Sequence, residues 1–179
     1  MIPDNVKKIP KSIRSNQELI QEALDLGCEK AKVVLTQTIS LAHWATLHCQ
    51  FGCSQYAKLL TCPPCTPDSE EMAEILNEYE KALLINANPD ANVQEIVVRL
   101  ENSFKQKGYY KAFALGAQPC DLCNPCTVST HCQYPEKARP TLQACGIDVK
   151  TTVDKNGWTD LAQHKPCSES HTIGMVLLG

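Results

Sequence analysis

Four cysteines, Cys120, Cys123, Cys126 and Cys132, stand in the spacing C-x2-C-x2-C-x5-C. Two-residue gaps turn successive thiolates inward from one tight loop and leave backbone amides able to point at sulfur, which is how chains hold iron-sulfur clusters. A second constellation lies upstream, Cys49, Cys53, Cys62 and Cys65, with the spacing C-x3-C-x8-C-x2-C. Three or four ligands over so short a span could hold a second cluster or complete the first. His48 and His131 each adjoin a cysteine and could donate nitrogen, although a histidine beside a ligand more often hydrogen-bonds to it.

The downstream run resembles the bacterial ferredoxin pattern C-x2-C-x2-C-x3-C-P, with a longer last gap and the proline delayed to Pro135. The competing chemistry is zinc. Tetrahedral zinc usually takes its cysteines as two separated pairs, whereas three cysteines at consecutive two-residue intervals suit the corners of an iron-sulfur cube better.

Eleven cysteines in a chain whose start, MIPDNVKKIPKSIRSNQEL, lacks the hydrophobic centre of a secretory signal set the redox context. In a reducing compartment clustered thiols ligate metal or do redox chemistry more often than they form disulfides. A cytoplasmic protein is therefore expected. No apolar run is long enough to cross a bilayer, so no membrane partner is expected. The 17 basic and 20 acidic residues are spread along the chain for a net charge of -3, which argues against a nucleic-acid partner. Residues 1–14 carry Lys7, Lys8, Lys11 and Arg14 against Asp4 and read as a solvated, mobile basic arm. No P-loop, dinucleotide glycine fingerprint, HExxH or GxSxG sequence occurs, so the common nucleotide-dependent and hydrolytic signatures are missing.

The elements around the cysteines read as one α/β domain over 1–179, with a small mixed or mostly parallel sheet, flanking helices and two cysteine-rich metal-binding loops. Ser15 and Glu18 form a capping box for a helix that ends at Gly27. A strand follows at 31–38, then an ambiguous stretch from Leu41 to Trp44. The segment HCQFGCSQYAKLLTCPPCTP shows no period and reads as a metal-type loop without a core element. Asp68, with Glu71 three residues on, caps a helix, and KALLIN follows as a short buried strand. Asn88 as cap and Pro89 at the first helical position open a helix, apolar at Val93, Ile96, Val97, Leu100 and Phe104, that ends at Gly108. KAFALG is then a strand. Strand, helix and strand make a βαβ unit, which predicts neighbouring parallel strands. The second cysteine loop starts at Pro119, just past the last of these strands, where α/β sheets usually mount their sites. A short helix spans 139–145 and closes at Gly146, and TIGMVLLG is a final apolar strand.

The stretches HCQFGCSQYAKLLTCPPCTP, LGAQPCDLCNPC, HCQYPEKARPTLQACGIDV and NGW together resemble domain-of-unknown-function family 2284, predicted metal-binding proteins of anaerobic bacteria and archaea. The resemblance implies ligand roles for Cys49, Cys53 and Cys62 and for Cys120, Cys123, Cys126 and Cys132. The family typically has an aromatic residue where this chain has Cys65, which sets Cys65 apart. The family itself carries no settled activity. Eight cysteines in two loops without a nucleotide motif point to a 4Fe-4S cluster, one or two per chain, acting in electron transfer to or from a redox or metabolic partner protein. Two other readings stand beside it. A three-cysteine cluster with an open iron could act as a Lewis acid in a non-redox enzyme, and zinc in either loop would make the chain a structural or metal-delivery protein. Outside the cysteines, Arg139 could hydrogen-bond cluster sulfur or clamp an anion, with a surface ion pair to Glu136 as its plainer role. Lys58 reads as solvated, and Tyr56, Tyr109 and Tyr110 as packing residues.

Overall fold

A computed structural model describes residues 15–161 and 171–179. The basic arm and Cys167 lie outside the described residues. In chain order the helices are α1 (Asn16–Asp25), α2 (Trp44–Gly52), α3 (Ser69–Leu76), α4 (Val93–Gln106) and α5 (Val149–Lys155). The strands are β1 (Cys28–Leu35), β2 (Lys81–Ala87), β3 (Phe113–Leu115) and β4 (Ile173–Leu178), with short 3-10 turns at Thr36–Thr38 and Gln143–Cys145. The four strands form one sheet in the order β1-β2-β4-β3.

Every neighbouring pair in that sheet is antiparallel. The expected βαβ unit exists as a chain of elements, β2-α4-β3, and its two strands do run the same way. They are not neighbours, because β4 lies between them and pairs with both. The parallel reading fails for a physical reason. β2 and β4 are central strands covered on both faces, with Leu84 paired to Met175 and Ile85 to Gly174. A strand buried on both faces reads as an unbroken apolar run, which is also how a parallel strand reads.

Helices cover the two faces of the sheet separately. On one face α1 and α4 bury Leu19, Ala23, Val97, Leu100 and Phe104 against Leu83, Ile85, Ala114 and Val176. On the other, Met72 and Leu76 of α3 join Leu142, Ile147, Val153 and Trp158 over Leu84, Leu115, Met175 and Leu177. This second layer includes the turn at Gln143–Cys145, against which α2 packs. Its segments are tied together by backbone pairing: Ala42 N–H donates to Gly146 O and Asp148 N–H to Ser40 O.

Two helix starts differ from the sequence expectation. Asn92, not Asn88, caps α4, its side chain accepting from Glu95 N–H at 3.1 Å. Asn88 instead donates its side-chain amide to Gly27 O. The upstream cysteine segment does contain an element, because α2 runs through it to Gly52 and buries Ala45 and Cys49. An eight- or nine-residue helix shows too few turns for its period to stand out beside glycine and cysteine.

Candidate metal centre

The upstream group is assembled by α2 and the tight loop after it. Cys49 lies on the buried face of α2, and Cys53 is its C-cap, with its N–H donating to Cys49 O. Turns follow in quick succession: Tyr56 N–H donates to Cys53 O, Ala57 N–H to Pro63 O, and Cys62 N–H to Leu59 O. Ala57 takes the left-handed conformation, φ 58°, and lets the chain double back. The effect is to aim Cys49, Cys53 and Cys62 at one cavity, which Tyr56 and Pro63 also line. The far wall comes from the downstream segment, through Pro119, Thr141 and Ala144. The cavity is about 10 Å³, roughly the room of one water. Three cysteines line it, and it is far smaller than a substrate cleft, which would run to hundreds of cubic ångströms.

Cys65 is placed differently. It is exposed and lines a separate open groove with Glu71, Glu74 and Glu78. Thr66, next to it, anchors the loop by donating its hydroxyl to Ala144 O at 2.6 Å.

The downstream thiols lie within electrostatic reach of one another. Cys120 is pushed up in pKa, first by desolvation, against an N–H bond from Leu122, and then by the neighbouring Cys132, Asp121 and Cys126. Cys123 is raised by desolvation, by Cys126, with which it hydrogen-bonds, and by Cys120 and Cys132. Thiols that oppose one another's ionisation are thiols that a bound cation would release into their thiolate form. Cys28 and Cys145 contrast with them. Burial alone raises Cys28 to about 11 and Cys145 to about 12, and both sit in the two hydrophobic cores as inert, protonated side chains.

His48 stacks edge-on against Trp44 with ring centroids 5.3 Å apart, and His131 accepts Thr127 Oγ1–H through its backbone oxygen. Among the described residues no set of three or more Cys, His, Asp or Glu side chains converges tightly enough for a single ion. A tetrahedral zinc draws its sulfurs to about 2.3 Å from one point, whereas a four-iron cluster is held at its corners by thiolates set farther apart. The donor set, seven thiols in two groups with no carboxylate among them, is of the soft kind that suits iron-sulfur clusters and zinc over hard cations. Thr61 Oγ1, one residue before Cys62, is buried with no hydrogen-bond partner, so a donor stands ready beside the upstream group for sulfur or thiolate. On these grounds the residues fit a bound metal group.

One residue that the spacing of cysteines does not reveal holds the downstream loop in place. Glu101 on α4 has no exposed surface, and Arg139 meets it with both prongs, Nε to Oε2 at 2.6 Å and Nη2 to Oε1 at 2.7 Å. The same carboxylate accepts Ala114 N–H from β3 at 2.7 Å and Lys105 Nζ at 2.5 Å. Arg139 Nη1 donates to Pro135 O and Ala138 O. Glu101 thereby joins the strand that leads into the loop to the segment that leaves it. The surface pair expected for Arg139 is not the observed one: it is buried against Glu101, not paired with Glu136, and four of its five N–H groups go to protein oxygens. The signal was present in the sequence as a glutamate on the apolar face of α4, between Leu100 and Phe104.

Sheet, helices and thiols define a small α/β metal-binding protein in which two cysteine groups share one side of the molecule. Residues 32–178 match the family described as predicted metal-binding protein, domain-of-unknown-function family 2284, and the chain belongs to that family. Neither a curated protein nor a solved structure matches it.

Proposed function

We propose that this protein is an iron-sulfur protein of anaerobic metabolism, carrying one or two 4Fe-4S clusters and passing electrons to or from a partner enzyme in the cytoplasm. The observation that carries the reading is the downstream loop, where four cysteines stand at C-x2-C-x2-C-x5-C spacing and Cys120 and Cys123 are both close enough to Cys126 and Cys132 to feel their charge. Such a cluster supplies a site that accepts and releases one electron at a time. The chain's own part is to hold Cys120, Cys123, Cys126 and Cys132 as ligands, to fix their loop through Glu101 and Arg139, and to keep water from the upstream thiols. A partner is supported by the outer face of α2. Trp44, Leu47 and Phe51 recur there at helical spacing, and Phe51 is 80% exposed two residues from Cys53, an apolar patch of the kind that binds protein.

A non-redox catalytic role is the second reading. It is favoured by the placement of Cys65 away from Cys49, Cys53 and Cys62, which leaves three thiols at the upstream cavity. The size of that cavity weighs against an organic substrate.

Purification without oxygen, with iron, sulfide and zinc quantified, tests the proposal. About four or about eight irons per chain, matched by sulfide and giving a reversible one-electron paramagnetic signal, is the expected result. Colourless protein with zinc and no sulfide would overturn it in favour of a structural or metal-delivery role.

A further inference from the structure

We infer that the two cysteine groups are adjacent centres that share a wall at Pro119, so that metal groups bound in them interact instead of behaving independently. This rests on the reading that both groups take iron-sulfur clusters.

Pro119 lines the cavity into which Cys49, Cys53 and Cys62 point. The next residue is Cys120, the first cysteine of the other group. One peptide unit thus separates the lining of one site from a ligand of the other. The departing stem of the loop closes on the same cavity, because Thr141 forms part of its wall. The two stems are pinched together there: Gly116 N–H donates to Pro140 O at 2.8 Å and Leu142 N–H to Gly116 O at 3.1 Å. Gly116 leaves room for the Gln94 side chain, whose Oε1 would lie 1.8 Å from a Cβ placed there. Gln94 Nε2 in turn donates to Arg139 O, and Glu101 grips Arg139 and Ala114 N–H. The base of the downstream loop is therefore fixed by hydrogen bonds between its stems and to α4, and it is the stem residues Pro119 and Thr141 that lie against the upstream cavity. Proline is also suited to the wall, having no N–H to satisfy and an apolar ring to exclude water.

The test is the paramagnetic spectrum of the full chain, purified without oxygen and reduced with excess dithionite, a reductant that supplies one electron to each cluster. With about eight irons per chain, the expected spectrum is broadened and split by interaction between two reduced centres. Cys53→Ser should lower iron to about four per chain and collapse the spectrum to the narrow signal of one centre. If the variant does not fold, the wild-type spectrum decides alone. About eight irons with a narrow, unsplit sum of two signals would overturn the inference and leave the iron-sulfur reading intact, and so would a chain that loads only about four. Zinc without sulfide would remove both together.

Discussion

Glu101 puts a full negative charge where no water reaches it, and such a charge is tolerable only when its hydrogen bonds are complete. Here they are: two from Arg139, one from Lys105 and one from the Ala114 amide. Burial by itself would raise the pKa of Glu101, but the bonds from Arg139, Lys105 and Ala114 outweigh it and hold the carboxyl below its ordinary value. A group whose folded pKa is depressed adds stability above its unfolded pKa, about 4.3 for glutamate. That contribution is lost as pH falls through the lower folded value. Urea unfolding followed from neutral to acid pH should therefore show a decline in stability that is shallower in Glu101→Gln. Glu101→Ala at neutral pH, which leaves Arg139 buried without its partner, should cost about 3–5 kcal/mol. An identical acid profile in Glu101→Gln and the parent would show that this carboxylate contributes nothing to it.

At the scale of elements, the layer against which α2 packs depends on a close approach between the turn at Gln143–Cys145 and the start of α3. Gly146 ends that turn with φ 71°, and a Cβ on it would meet Ser69 Cα and N at 2.9 Å. Both the left-handed conformation and backbone contact oppose any side chain, so Gly146→Ala should lose at least about 2 kcal/mol in denaturant unfolding. A loss below about 0.5 kcal/mol, the range of neutral surface changes, would mean that the turn moves freely. The sequence foretold the cap at Gly146, the Asp68–Glu71 capping box and the apolar stripe of α4, because each is a local signal written within a few residues. It did not foretell the sheet order, since nothing within β2 or β3 records that β4, about 60 residues beyond β3, inserts between them. The grouping of Cys49, Cys53 and Cys62 without Cys65 was available only through resemblance, because the eight-residue gap from Cys53 to Cys62, whose course depends on the positive φ of Ala57, carries no period.

Over the whole molecule, the metal-type loops hang from a frame that does not need them to fold. The two cores on either face of the sheet are built from aliphatic and aromatic side chains of α1, α3, α4 and the strands, and among the described residues the only cysteines in them are Cys28 and Cys145, neither of them a candidate ligand. Within the downstream loop, backbone bonds such as Thr130 N–H to Thr127 O and Ala138 N–H to Tyr134 O are local turns, exposed to solvent and without a core beneath them. Local stability should follow this division. Hydrogen exchange before and after the metal is stripped by a chelator under reducing conditions should show β2 and β4 amides protected in both states. Amides between Cys120 and Cys132 should exchange quickly in the stripped protein and slowly in the loaded one. The helical signal in far-ultraviolet circular dichroism should change little, because α1, α3 and α4 pack on the sheet. Loss of protection in β2 and β4 on chelation would contradict this picture, for it would make the metal a condition of the fold, as in small zinc-dependent domains. Retained protection there would place the metal's effect in the loops, where the thiols and the exposed face of α2 lie.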